Sequence, residues 1–98
     1  MTDIRHLSTR KSRNFVDHYF SIADLPMNNF NTILISDKLN SPASPYTDAN
    51  FSPKPNGSSY DISFRGEVGN TLYEDVDAIM AYMYQCLENI KPQLRKRN

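Results

Sequence analysis

The sequence predicts a small α+β domain, with an antiparallel sheet of about three strands packed against one long C-terminal helix. Three observations predict it. Residues 60–68 alternate between apolar and charged side chains. Residues 72–90 carry apolar side chains at helical spacing. The strand-like runs all precede that helix, which argues against a wound parallel sheet.

The chain has 98 residues, enough for one domain with a modest core. Residues 1–13 are polar and basic and read as an N-terminal tail. Residues 14–25 support two readings. Phe15, Val16, Tyr19, Phe20 and Ala23 make a helical stripe, with Ser12 or Asn14 as a cap. Val16, His18, Phe20 and Ile22 make a strand alternation. The crowding of Phe, Val, Tyr and Ile favours the strand, and Pro26 ends either element. Asn31–Ser36 is a short β-branched run bounded by turn residues and reads as a buried strand. Residues 37–58, punctuated by Pro42, Pro45, Pro53 and Pro55, read as a long loop. A loop of that length in a compact domain is either functional or mobile. Tyr46 and Phe51 are its anchors to the surface.

In the next strand, Tyr60, Ile62, Phe64, Gly66 and Val68 share the inward face, and Asp61, Ser63, Arg65 and Glu67 share the wet one. An inward Gly66 marks a bulge or a close approach of another group. Gly69-Asn70 supplies a turn. Thr71-Leu72-Tyr73-Glu74 matches a capping box, and Asp75 and Asp77 suit the positive end of a helix dipole. Leu72, Val76, Ile79, Met80, Met83, Leu87 and Ile90 form the buried stripe. Pro92 stops the helix near Lys91. Residues 91–98 form a basic C-terminal tail. The order is therefore β-β-loop-β-α, with no internal repeat.

Eleven basic and eleven acidic side chains cancel. The cancellation hides a layout: residues 1–20 carry +2, residues 91–98 carry +4 and the middle carries −6. Basic ends suggest either a polyanion or simple solvation. One cysteine excludes an internal disulfide and a thiolate metal cluster, and fits a reducing, cytoplasmic setting. No apolar run reaches membrane-spanning length, and no apolar segment follows the N-terminal charges as a secretory signal would require.

Nothing in the sequence names a reaction. Cys86 lies on the apolar side of the helix, where a thiol is inert. His6 and His18 lack the spacing of a metal site or a catalytic dyad, so neither cofactor nor metal is expected. Gly66–Thr71 resembles a phosphate-cradling turn. The negative charges of Glu67, Glu74, Asp75 and Asp77 outweigh the half-charge of the helix dipole there. The placement of Gly66–Gly69 after a strand and its acidic Glu67 argue against the Gly-x-x-Gly of a KH module. The Ser-Pro pairs at Ser41, Ser44 and Ser52 read as ordinary loop residues.

The leading expectation is a non-catalytic interaction protein that binds a protein partner or self-associates. Tyr46, Phe51, Tyr73 and Tyr82 are its candidate partner-binding residues, since aromatics dominate interface energetics. The face bearing Ala78, Ala81, Tyr82 and Gln85 is free for a second contact. Leu72, Val76, Ile79, Met83, Cys86 and Ile90 also step at heptad spacing, which would suit a homodimer through the helix. The alternative is a nucleic-acid-binding accessory protein using Arg10, Lys11, Arg13, Arg95, Lys96 and Arg97. A weaker alternative is a ligand binder or enzyme with a pocket under the 37–58 loop. Small size and asparagine-rich loops suit an accessory protein of a phage or mobile element.

Overall fold

Two strands, Phe15–Ala23 and Ser59–Glu67, form the centre of the sheet because their apolar positions fall in register. The computed structural model describes residues 3–46 and 51–96. Its order is β1 (Asp3–Lys11), β2 (Phe15–Ala23), α1 (Asn29–Leu39), β3 (Lys54–Asn56), β4 (Ser59–Glu67) and α2 (Val76–Ile90). All neighbouring strands are antiparallel, in the order β1-β2-β4-β3. Val16 lies opposite Gly66, His18 opposite Phe64, Phe20 opposite Ile62 and Ile22 opposite Tyr60. These side chains are buried on one face of the sheet. Asp17, Tyr19, Ser21, Asp61, Ser63 and Arg65 line the other face, which is polar, as a one-sided antiparallel sheet allows.

The α+β class is as expected, but the sheet has four strands and a second, shorter helix joins α2. The topology repeats: β1-β2-α1 is followed by β3-β4-α2, with β2 and β4 adjacent at the middle. The halves differ at the edges. β1 has nine residues. β3 has three and contains Pro55.

Three sequence expectations change. Residues 3–11, read as part of a tail, are the edge strand β1. Only Ile4 in it is buried, so there is no apolar alternation to reveal it. Residues 31–36, read as a strand, lie in α1. Its buried residues are Asn31, Ile35 and Leu39, spaced four apart. Asn28 is the N-cap, its side chain accepting from the Asn31 N–H at 2.8 Å. The loop read over 37–58 is shorter at both ends, because α1 runs to Leu39 and β3 begins at Lys54.

The start of α2 is also different. Thr71–Tyr73 forms a separate 3₁₀ turn capped by Asn70. Asp75, rather than Thr71, caps α2, accepting from the Ala78 N–H at 3.1 Å. The break lets Tyr73 turn inward, where it lies over Gly66 and is 1% exposed. Leu72 and Val68, both expected inside, are instead exposed. The rest of the stripe behaves as expected: Ile79, Met83, Leu87 and Ile90 are buried, with Val76 and Met80 packed at the margin.

Candidate functional site

The four aromatic residues expected to meet a partner are built into the molecule itself. Tyr46, Phe51 and Tyr73 are buried, and Tyr82 is half-buried. Phe51 packs on Phe64 with ring centres 3.9 Å apart, and Tyr46 packs on Phe64, Tyr73 and Tyr82. Tyr82 Oη donates to the Leu39 carbonyl at 3.2 Å and ties α2 to α1. Burial is also the main reason the Tyr82 phenol is pushed up to about 12. Burial, then the negative charge of Asp75, raises Tyr46. Tyr46, Phe51 and Tyr73 are core in this structure, because rings at the sheet–helix junction gain by leaving water, whereas Tyr82 keeps part of its ring exposed beside the Ser41–Pro45 cleft.

Helix α2 offers little for a homodimer seam. Val76, Ile79, Met83, Cys86 and Ile90 face their own core, and Leu72 lies outside the helix. Ala78, Ala81 and Gln85 are exposed, but Tyr82 beside them is turned to α1. Cys86 is buried, and desolvation raises its thiol, which keeps it protonated and unreactive. Among the described residues the 37–58 segment borders two open clefts, one of about 320 Å³ beside Ser41–Pro45 and α2 and one of about 640 Å³ lined by Ser52, Lys54 and Asn56 with the outer face of the sheet.

The basic residues separate into two groups. Arg10 and Lys11 lie on β1, and Arg13 lies in the hairpin turn after it; all three are exposed. Arg95 and Lys96 lie at the other end of the sheet. There the buried Asn31 side chain accepts from the Arg95 N–H at 2.8 Å and donates to its carbonyl at 2.7 Å. Asn28 donates to the same carbonyl, and the Arg95 guanidinium sits 3.9 Å over the Phe30 ring. That end is level with Ile4, since the Asn28 N–H bonds Tyr60, Tyr60 faces Ile22 and Ile22 faces Ile4. The length of β1, at about 3.3 Å per residue, separates the two groups by roughly 25 Å. Arg97 lies outside the described residues.

The geometry of the β1 edge follows from strand parity. In an antiparallel ladder alternate residues turn N–H and C=O toward the neighbour, and the others turn them away. The Ser12 N–H bonds the Phe15 carbonyl across the hairpin at 2.9 Å, so Lys11 and Thr9 turn theirs outward. The register slips between His6 and Ser8, which marks a bulge at Leu7. Below the bulge Ile4 turns outward, and Tyr84 Oη closes that position. It accepts from the Ile4 N–H at 3.1 Å and lies 3.4 Å from the Ile4 carbonyl. The ion pairs among the described residues are Arg5–Asp3 and Arg65–Asp17, so Arg10, Lys11 and Arg13 enter none of them.

On the inner side a hydrogen-bonded chain fixes β1 to the core. His18 Nε2 lies 2.6 Å from the Tyr73 carbonyl, which only accepts, so Nε2 carries a proton. In the neutral ring Nδ1 then accepts from Thr9 Oγ1 at 2.8 Å, and Thr9 Oγ1 accepts from His6 Nε2 at 2.9 Å. Beside this chain is a cleft of about 300 Å³, lined by Thr9, Lys11, Val16, Val68, Glu74 and Val76 among others. The sequence reading set His18 in a strand alternation with Val16, Phe20 and Ile22 but missed Thr9, Tyr84 and the open edge. The one available signal was the reversal at Arg13-Asn14 between two β-compatible segments.

Among the described residues no cluster of three or more His, Cys, Asp or Glu is placed to hold a metal ion. None of their helices is long and apolar enough to cross a membrane. Comparison with protein-family models, with curated proteins and with solved structures finds no match to this chain.

Proposed function

We propose that this chain is a non-catalytic interaction module that contacts a protein partner through the β1 edge and its hairpin turn. The single observation carrying this reading is the exposed run from Arg5 to Lys11 at the margin of the sheet. Its outward backbone groups at Thr9 and Lys11 form a ready template for strand pairing. The one thiol, Cys86, is buried, and that burial disfavours the thiolate a nucleophile would need. A photo-crosslinking residue in place of Arg13, compared with one in place of Ala81 on α2, tests the surface in the native host. Protein adducts from position 13 that are lost in Arg10→Glu/Lys11→Glu are the expected result. Adducts from position 81 alone would transfer the function to α2 and overturn the β1 assignment.

The nucleic-acid reading draws support from Arg10, Lys11 and Arg13 only, because Arg95 and Lys96 lie too far away to extend the same patch. A gel-shift titration at two salt concentrations separates the two readings, since phosphate binding weakens steeply with salt.

A further inference from the structure

We infer that the β1 edge recognises an acidic segment in extended conformation and takes it on as a fifth strand along Ser8–Ser12; this rests on the β1 interaction surface proposed above. The site is short because both the bulge at Leu7 and the Tyr84 hydroxyl over Ile4 close the lower half of the strand. Beyond the bulge, Thr9 and Lys11 each offer one N–H and one C=O to the outside. A neighbouring peptide satisfies both kinds of group, whereas a phosphate backbone supplies acceptors but no donors for the carbonyls. This favours a polypeptide over a nucleic acid.

Charge selects the kind of polypeptide. Arg10, Lys11 and Arg13 are exposed within four residues of one another, on both faces and at the tip of the hairpin. Two acids stand near them on the outer face: Asp17, opposite Arg10, which Arg65 already holds through two bonds of 2.7 and 3.2 Å, and Glu67, which shares an open cleft with Arg13 and offsets part of its charge. On the inner side, Glu74 stands across the cleft from Lys11 and lowers the local positive potential without removing it. A second copy of the chain fits poorly, since two-fold antiparallel pairing about this stretch would set Arg10 against Arg10. An acidic strand instead sets a carboxylate against Arg10 on the outer face, with Lys11 and Arg13 adding positive potential nearby.

The inner side chains of such a strand lie about 5 Å from Thr9 and Lys11. There they reach the cleft walled by Val16, Val68 and Val76. The recognised pattern is therefore acidic residues alternating with a small β-branched apolar residue.

The probe is the capped hexapeptide Glu-Val-Glu-Val-Glu-Val, compared with its lysine counterpart, with a version N-methylated at alternate residues and with a short single-stranded oligonucleotide. NMR of the intact chain should show shifts confined to Ser8–Ser12 and the cleft, with slowed exchange of the Thr9 and Lys11 amides. Arg10→Glu/Lys11→Glu should weaken binding by about tenfold or more. These positions are exposed, so the unchanged spectrum of α2 verifies the fold. Equal binding of the lysine or N-methylated peptide, shifts elsewhere, or stronger binding of the oligonucleotide would overturn the proposal. If the peptide fails while position 13 still crosslinks to protein, the occupant is wrong and the surface stands. If both fail, the interaction reading falls with it.

Discussion

Gly66 shows how one missing side chain organises its surroundings. A Cβ at this position would overlap ring carbons of Tyr73. The glycine is required by that contact. Gly66→Ala should destabilise the fold by about 1–3 kcal/mol, the range for overpacking a filled core, and urea unfolding measures it. Retention of full stability would mean that Tyr73 can leave without loss. Tyr82 gives a second test at this scale. Its phenol holds a proton more tightly in the folded state than the ordinary value of 10.0 implies, mainly through burial, and deprotonates at about 12. The resulting stabilisation is complete below the ordinary value and is lost as pH rises through the folded one. Tyr46 is shifted in the same direction. Tyr82→Phe should therefore reduce, without abolishing, the fall in urea midpoint between about pH 9 and about pH 11.5. An identical alkaline fall in the variant would show that Tyr82 does not carry it.

The elements were legible where apolar residues mark the period. β2, β4 and most of α2 could be read because Phe20, Ile22, Ile62, Phe64, Ile79 and Met83 repeat at two or at three and four. α1 was misread because one of its three buried positions is Asn31 and the strongly apolar Ile33 is 62% exposed. Burial there follows hydrogen bonding rather than hydropathy, and the β-branched run around Ile33 imitates a strand. β1 escaped notice for a related reason: an edge strand with one buried residue has no alternation to read. The candidate site was correspondingly hidden. Its cations were visible in the sequence, but their placement on a sheet margin was not. Tyr46 and Phe51 read equally well as surface anchors because nothing in the sequence shows the loop entering the core, and Tyr73 is buried only because the 3₁₀ turn breaks the helix ahead of α2. Asn31 also supplies a prediction for its element. It bonds the Pro26 carbonyl and both backbone groups of Arg95. Asn31→Ala should cost about 1–3 kcal/mol through the buried groups left unpaired. Hydrogen exchange at Leu94–Lys96 should accelerate at the same time. Unchanged exchange there would show that the segment is held by other contacts.

At the scale of the molecule, two helices lie on one face of the sheet and the other face is left polar. Such a sheet has two margins through which chains can join. The β1 margin is long and is defended against self-pairing by Arg10 and Lys11, a common protection of exposed edges. Arg10→Thr/Lys11→Thr should therefore self-associate at concentrations where the parent chain does not, as light scattering would detect. A variant that stays in the parent's state would show that repulsion is not the protection.

The two halves of the topology end in very different borders, and this sets a limit on assembly. At the far border, β3 offers three residues, and Pro55 among them has no N–H to give. A chain that docks at β1 thus finds no matching receptor on the opposite flank for the next copy. Strand exchange with this molecule stops after one addition: it can terminate a growing stack, but it cannot transmit one. Its complexes should have a fixed one-to-one stoichiometry.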